Sequence, residues 1–310
     1  MCLLYPALNA AFNRFFNGRG DGSPIMQYLS AEDCGISSVP FSFMSGKWRL
    51  QGERYFAGPE PYKGLVIFFH GVGAGRSSYT LEISALAKAG YLVLAYDNTG
   101  CMQSEGKGMN GLPQAVLDQE AFFHYLETQE DIRDLPRFAM GHSWGGYLAL
   151  MASRPEYHVQ KVVSGAGFFE LGRLVSSSIP KLSFLEKSIK RYVKHKYGRA
   201  ASRSALDYVK ESGIPVLYLQ GKHDKIVTYE GHYEYLKKHK EEYPNIRLLC
   251  FEHRAHQVFW TDEAQAYFEE LFGNFGEKKT PLTTLLNIDY DRLNVDDPIL
   301  MQAILDFFEE

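Results

Sequence analysis

Short apolar runs separated by helical patterns are the feature that most constrains the fold of this chain. Strands buried on both faces form unbroken apolar runs, and parallel strands need helical crossovers between them. The pattern therefore predicts an α/β protein with a mostly parallel sheet, whose functional loops follow the carboxyl ends of the strands. The runs are GLVIFF (64–69), YLVLAY (91–96), FAMG (138–141), VQKVVSGAG (159–167), PVLYLQG (215–221) and IRLLCFE (246–252), with helical patterns at about 79–89, at about 112–129 and from 145.

The composition excludes several classes of protein. Of the 310 residues, 45% are hydrophobic and 23% are charged, which is typical of a globular chain and not of a disordered one. A net charge of −4 argues against nucleic-acid binding, and no apolar stretch approaches the length of a transmembrane helix. The cysteines have neither metal-ligand nor disulfide spacing, and the N-terminus lacks the basic region of a secretory signal, so we expect free thiols and a cytoplasmic location.

The chain is predicted to have three parts, which are an N-terminal helical segment (1–40), a main domain (41–275) and a C-terminal helical extension (276–310). The main domain opens on a predicted β-hairpin at 41–56, around a central Ser-Gly. Its residues 168–208 contain no strand pattern and are predicted to form a small helical insert, or cap, over the sheet. The extension contains the helix start Asp296-Asp297-Pro298, followed by an apolar face of Ile299, Leu300, Ala303, Ile304, Phe307 and Phe308.

Two of these segments allow more than one interpretation. Apolar residues at helical spacing near the N-terminus predict a docked amphipathic helix, and a membrane-surface anchor is the alternative; they are Leu4, Ala7, Leu8, Ala11, Phe12, Phe15 and Phe16. The insert carries eight Lys or Arg residues and one acid, Glu186, between Lys181 and Arg203. This basic face is interpreted as the solvated side of a lid helix, and the alternative is attraction of an anionic substrate or lipid surface.

The strongest signal for chemistry is Gly141-His142-Ser143-Trp144-Gly145, which matches the G-x-S-x-G pattern directly between a predicted strand and a predicted helix. A sharp turn from strand to helix brings neighbouring backbone close to the serine, and the two glycines leave room for it. The serine hydroxyl is then exposed beside free backbone N–H groups at the start of the helix. Ser143 is therefore the candidate nucleophile.

From about residue 45 to residue 275 the chain resembles the α/β-hydrolase superfamily, and within it the serine-aminopeptidase-like or monoglyceride-lipase-like hydrolases. The resemblance is carried by HGVGAG (70–75), YDNTGCMQSEG (96–106), GHSWGGY (141–147), LQGKHDKIV (219–227) and AHQVF (255–259). It implies the α/β-hydrolase fold, with a mostly parallel central sheet, flanking helices and a small cap. The two ends of the chain lie outside the resemblance.

A serine hydroxyl needs a base, and the base needs a carboxylate that orients it. The resemblance implies the chain order serine, acid, histidine. Asp224 is the candidate acid, with Glu170 as the alternative, while His223 is interpreted as a surface or turn residue. His256, in the loop Ala255-His256-Gln257, is the candidate base, with His253 as the alternative.

The developing negative charge on a substrate carbonyl needs preorganised N–H donors. The N–H of Trp144, the residue after the nucleophile, is one expected donor. By resemblance, the residue after His70-Gly71 supplies the other, which is Val72. His70 is expected to brace this loop, and Asp97 is expected to fix local turns rather than to act in catalysis.

The leading functional hypothesis is a serine hydrolase that cleaves carboxylic esters of small molecules through a Ser-His-Asp triad and an acyl-enzyme. Small esters or acyl glycerols are the preferred substrates, followed by thioesters and N-terminal peptide bonds. We expect no cofactor, and the two histidines of His253-Arg254-Ala255-His256 lack the carboxylate pattern of a metal site. Two alternatives stay open, an aminopeptidase-type peptide hydrolase and a non-catalytic binding protein with the same fold.

Overall fold

The central sheet has eight strands in the order β1-β2-β4-β3-β5-β6-β7-β8. The computed structural model describes residues 5–16, 18–23, 25–273 and 282–310. From β4 to β8 all neighbouring strands are parallel, whereas β1 and β2 form an antiparallel hairpin that pairs with β4. The strands are β1 Ser37–Ser45, β2 Trp48–Phe56, β3 Leu65–Phe69, β4 Leu92–Tyr96, β5 Arg137–His142, β6 Val159–Gly165, β7 Val216–Gly221 and β8 Ile246–Phe251.

The predicted mostly parallel α/β architecture is confirmed. The helices are α1 Tyr5–Phe16, α2 Thr80–Lys88, α3 Gln114–Glu127, α4 Trp144–Met151, α5 Leu171–Ser178, α6 Glu186–Ser202, α7 Ala205–Ser212, α8 Tyr233–Lys238, α9 Asp262–Phe272, α10 Leu282–Leu285, α11 Tyr290–Leu293 and α12 Pro298–Glu309, with 3₁₀ turns at Arg76–Tyr79, Pro155–Tyr157 and Pro180–Leu185. In the described part of the chain, no helix has both the length and the apolar character needed to cross a membrane.

Two hydrophobic clusters cover opposite faces of the sheet. On β3, Leu65 and Ile67 belong to one cluster and Val66 and Phe68 to the other, because successive strand side chains point to opposite faces. The first cluster includes residues of α3, α4, α6 and α7, and the second includes residues of α2 and α12. The sheet is therefore covered by helices on both sides, which leaves its carboxyl edge for the functional loops.

The last strand differs from its prediction. IRLLCFE was expected to be buried on both faces, but β8 lies at the edge of the sheet and only Ile246 is fully buried. An edge strand pairs with one neighbour and is partly open to solvent, although its sequence is apolar. The predicted hairpin is confirmed, and it begins at Ser37, four residues before the predicted start.

The helices at the two ends also differ in detail from their predicted faces. In α1, Leu8 and Phe12 are buried, while Ala7, Ala11 and Phe15 are exposed and Leu4 lies outside the described residues. In α12, Ile299 and Ala303 are exposed and Met301 is buried instead. Both helices pack on the body of the protein, and each buries a narrower stripe than its sequence predicted.

The predicted insert consists of helical turns, as expected for a segment without a strand pattern. Its long helix α6 buries Ile189, Tyr192, Val193 and Tyr197, whereas Phe184, just before this helix, is 74% exposed. Helix α1 covers the buried side, where Phe12 stacks on Tyr192 with ring centroids 4.9 Å apart. The division of the chain at residues 40 and 275 stays a prediction.

Candidate active site

Ser143 lies at the turn between β5 and α4, in a backbone conformation that few residues adopt. Its φ is 59° and its ψ is −114°, and it occupies the N-cap position of the helix. A Cβ atom on Gly141 would overlap the carbonyl of Gly145, and one on Gly145 would overlap the carbonyl of Phe69. The close approach of three backbone segments explains both glycines, and the turn holds the Ser143 side chain at the carboxyl edge of the sheet.

The structure brings together the three candidate side chains that the sequence places far apart. His256 Nε2 lies 2.8 Å from Ser143 Oγ, and His256 Nδ1 lies 2.8 Å from Asp224 Oδ2. A carboxylate oxygen accepts, so the Nδ1 atom carries the proton. In the neutral ring, Nε2 is then free to accept the hydroxyl proton of Ser143. This arrangement can remove a proton from the serine.

The carboxylate of Asp224 is buried and held by several donors. Its Oδ1 atom accepts hydrogen bonds from the backbone N–H groups of Ile226, at 2.8 Å, and Val227, at 3.0 Å. Its Oδ2 atom also accepts one from Gln220 Nε2 at 3.2 Å. These contacts fix the orientation of the carboxylate that faces the histidine.

The alternative acid and base do not reach Ser143. His253 is exposed and lies outside the cavity that contains the serine, as does the exposed His223. Glu170 forms an ion pair with Lys190, 2.8 Å between Oε2 and Nζ, and does not line that cavity. In the part of the chain that is described, no group of three or more His, Cys, Asp or Glu residues could hold a metal ion.

A second set of hydrogen bonds, which the sequence did not indicate, connects the loop that carries His256 to the loop after β3. His142 Nε2 donates to the carbonyl of His256 at 2.7 Å, because a carbonyl can only accept. Burial, together with the neighbouring His256, lowers the pKa of His142 to about 3, so its ring is neutral and Nδ1 accepts from the Tyr79 hydroxyl at 3.0 Å. The Tyr79 oxygen accepts from the N–H of Gly71 at 3.2 Å.

The residues that carry the two expected oxyanion donors line the same cavity as Ser143. Trp144 begins α4, and the first N–H groups of a helix have no carbonyl partner within it. Val72 lies in the loop after β3, and its side chain is half-exposed. Both residues line the cavity, which makes their N–H groups candidates for binding a carbonyl oxygen there.

His70 and Asp97 occupy the structural positions expected of them. The N–H of Asn98 donates to His70 Nε2 at 3.0 Å, so Nδ1 carries the proton and donates to the carbonyl of Gly71 at 2.8 Å. Burial lowers the pKa of His70, which keeps this ring neutral. Asp97 accepts from the N–H of Arg76 at 2.9 Å and also pairs with its guanidinium, so it holds the turn and does not approach Ser143.

The cavity above Ser143 has a volume of about 450 Å³. Among the described residues, no Asp, Glu, Lys or Arg side chain lines it. The aromatic residues Tyr79, Trp144 and Phe168 line it, whereas the neighbouring Phe169 packs against Tyr218 and His232. Other apolar lining residues are Phe16, Ile25 and Met26 from the N-terminal segment, Leu112, Leu174 and Ile226.

The N-terminal contribution to this cavity was not predicted from the sequence. Ile25 and Met26 lie in a segment without secondary structure, so no periodicity marks them. His142 and Tyr79 were visible as residues of or near the motifs, but the hydrogen bond between them joins positions 63 residues apart. Only the folded structure shows such a contact.

Comparisons with known proteins find similarity to hydrolases. A family model described as serine aminopeptidase, S33, matches residues 60–201. Monoglyceride lipase of Mus musculus is 33% identical over 34% of this chain and 35% of its own length, and that of Homo sapiens is 32% identical over 41% and 44%. An esterase from Pyrococcus furiosus superposes with a TM-score of 0.60 at 20% identity, covering 81% of this chain and 94% of that one.

These matches differ in what they cover. The matched segments span only about a third to under half of the length of the two curated relatives, and the match to the archaeal esterase concerns the fold alone. The family model nevertheless includes the loop after β3 and the serine turn, and the structural match covers 81% of this chain. The strand order and the structural match show that the chain has the α/β-hydrolase fold, and its serine turn lies within the segment that is similar to the serine aminopeptidase family.

Proposed function

We propose that this protein is a serine hydrolase that cleaves uncharged carboxylic esters through an acyl-enzyme on Ser143. The observation that carries the proposal is the hydrogen-bonded series from Ser143 through His256 to Asp224, at 2.8 Å for each contact. It opens into an apolar cavity. The related monoglyceride lipases and the esterase with a similar fold support the same class of reaction.

The proposed reaction begins with attack of Ser143 Oγ on the ester carbonyl. His256 Nε2 takes the hydroxyl proton and then donates it to the leaving alkoxide, so that the alcohol departs and the acyl group stays on the serine. Asp224 keeps the imidazole in the required tautomer and stabilises its protonated form. The N–H groups of Trp144 and Val72 are assigned to the negative charge on the carbonyl oxygen.

Deacylation repeats these steps with water in place of serine. His256 Nε2 removes a proton from the water as it attacks the acyl carbon, and then returns the proton to Ser143 Oγ as the carboxylic acid leaves. Bonds and protons balance without a further reactant.

The character of the cavity favours an ester over the N-terminal peptide substrate of an aminopeptidase. A free α-ammonium group in an apolar cavity needs a carboxylate partner, since a buried unpaired charge is costly. Among the described lining residues there is no such carboxylate. An uncharged acyl chain, in contrast, gains about 0.8 kcal/mol, or roughly fourfold in kcat/KM, for each methylene that it buries.

The test is a panel of p-nitrophenyl esters, from acetate to dodecanoate, measured beside aminoacyl p-nitroanilides. We expect kcat/KM for the esters to rise with chain length until the cavity is filled, and the anilides to react far more slowly. Ser143→Ala should lower the ester rate by roughly 10⁴-fold or more. Faster cleavage of the anilides would favour the peptidase, and a folded protein inert toward both series would favour a binding function.

A further inference from the structure

A segment outside the matched family region forms part of the active-site wall. We define the N-terminal arm as residues 16–29, of which 17 and 24 are not described. Phe16, Ile25 and Met26 of the arm line the same cavity as Ser143. The family model begins only at residue 60, so it says nothing about this wall. We propose that the arm determines substrate specificity, with Ile25 and Met26 setting the length of the apolar ester chain that fits.

This inference rests on the proposed ester hydrolysis and adds to it the residues that select the substrate. Of the arm residues that line the cavity, Phe16, Ile25 and Met26 are apolar and Ser23 is polar but uncharged. The arm therefore acts on the bulk of a substrate and not on its charge. Ile25 and Met26 are only half-buried without a ligand. An apolar chain that packs against them would therefore remove further apolar surface from water.

The arm is held to the body of the protein by its backbone. The N–H of Gly20 donates to the carbonyl of Gly100 at 2.8 Å, and the N–H of Met102 donates back to Gly20 at 3.2 Å. A Cβ atom on Gly20 would lie 3.0 Å from Cys101 Sγ, so the arm lies close against the loop that follows β4. At the far end, the N–H of Leu29 donates to the carbonyl of Ser77 at 3.2 Å.

The side chain of Arg19 adds a clamp beside these backbone contacts. Its guanidinium donates to the carbonyls of Met102 and Gly106, each at 2.7 Å, and of Ser104 at 3.2 Å. Its Nε also donates to Asp21 at 2.9 Å, which balances the charge within the arm. Residues fixed on both sides of Ile25 and Met26 make a wall of defined position, which is a condition for selecting chains by length.

The basic helix α6 contributes less to this wall than the arm does. None of its residues lines the cavity, and the insert reaches it through Phe168 and Leu174. Instead, α6 supports α1, where the Tyr192 hydroxyl donates to Asn9 Oδ1 at 3.1 Å. The side chains that meet the substrate on this side are therefore those of the arm, which α1 leads into.

The experiment compares Met26→Trp and Met26→Ala with the wild type. Two ester series are used, p-nitrophenyl esters of increasing acyl length and alkyl acetates of increasing alcohol length, so that the chain is probed on either side of the ester. The matched control is Met44→Trp, because Met44 is 51% exposed on β1 and does not line the cavity. Labelling with a fluorophosphonate counts functional sites and shows that each variant is folded.

We expect Met26→Trp to lower the kcat/KM ratio of octanoate to acetate, or of octyl to ethyl acetate, by about tenfold or more, since mismatch of one or a few methylenes in an apolar pocket costs that much. Met26→Ala should shift the preferred chain to a longer one, and Met44→Trp should leave the profile unchanged. Wild-type profiles for both Met26 variants in both series would overturn the inference. Absence of hydrolysis and labelling in the wild type would overturn the proposed function itself.

Discussion

At Asp224, both carboxylate oxygens accept hydrogen bonds from groups that cannot change roles. The backbone N–H groups of Ile226 and Val227 can only donate to Oδ1, and Gln220 Nε2 can only donate to Oδ2. A carboxylate has no proton to give, so His256 presents a protonated Nδ1 to Oδ2. This determines the histidine tautomer before any substrate binds. The orientation of the ring thus depends on one buried carboxylate.

Replacing Asp224 with Asn should remove this control. The amide can present a donor to His256 Nδ1, which would favour the tautomer with the proton on Nε2, where it cannot accept the proton of Ser143. We expect kcat for p-nitrophenyl butyrate to fall roughly 10⁴-fold with little change in the folded structure. Steady-state kinetics together with a circular dichroism spectrum would measure both.

Glu170→Gln is the matched control, because it makes the same chemical change at the alternative acid. Glu170 is paired with Lys190 near the surface, so we expect kcat to change less than about threefold. Equal losses in the two variants, or near-normal activity in Asp224→Asn, would contradict the proposed role of Asp224.

Residues in loops with a recognisable motif could be located from the sequence, whereas hydrogen bonds between loops that are distant in the chain could not. Ser143 lies in a motif whose glycines have a mechanical reason, and the order of the loops led to Asp224 and His256. The hydrogen bond between Tyr79 and His142 follows no local rule, because it depends on how two loops meet at the sheet edge.

At the scale of elements, two buried carboxyl groups lie where α2 meets the segment before α12. Glu82 on α2 is buried, and Asp296 is half-buried with both carboxylate oxygens shielded from solvent. Neither of these oxygens has a hydrogen-bond partner among the described residues. Burial raises the pKa of Glu82, and the neighbouring Asp296 raises it further. Burial likewise raises the pKa of Asp296, with the charge of Asp297 as the second cause.

The stability of Asp296→Asn relative to wild type should therefore increase as the pH rises. A carboxyl whose pKa is raised by folding contributes most to stability below its unfolded pKa, near 3.8, and this contribution is lost as the pH rises through its folded value. We expect the free energy of unfolding of the variant relative to wild type to increase by about 2–4 kcal/mol between pH 4 and pH 8. Urea titrations at both pH values measure it.

Asp297→Asn, one residue away, should have the opposite effect on the pH dependence of stability. Burial opposes ionisation of Asp297, but hydrogen bonds from Arg254 and from the N–H groups of Leu300 and Ile299 outweigh it and lower its pKa. Its contribution is therefore present above the unfolded pKa and is lost as the pH falls, so this variant should be less stable than wild type at pH 8. A relative stability of Asp296→Asn that stays constant or falls with rising pH would contradict this interpretation.

The positions of the strands and helices were predicted more accurately than the exposure of their residues. Each predicted apolar run became a strand, because a run of that length between turn residues has few other ways to be buried. The errors concern exposure. Phe184 and Ile299 continue helical patterns but are exposed, and β8 is apolar yet lies at an edge. Periodicity indicates which residues could form a face, and the neighbouring element decides how wide that face is.

At the scale of the whole molecule, segments from both terminal regions of the chain contribute to the surroundings of the candidate active site. The C-terminal segment pairs with the loop that carries His256, where the N–H of Asp297 donates to the carbonyl of Phe259 at 2.8 Å and Arg254 pairs with Asp297. On the N-terminal side, the arm lines the cavity. Neither end lies within residues 60–201, so motif matching alone could not indicate their contribution.

The central claim is that Ser143 is a nucleophile activated by His256, and mass spectrometry of the intact protein after treatment with a fluorophosphonate tests it most directly. The account predicts a single adduct that peptide mapping places on Ser143, no adduct in Ser143→Ala, and much slower labelling in His256→Ala. A folded wild-type protein that never acquires the adduct, or labelling that persists in Ser143→Ala, would contradict it.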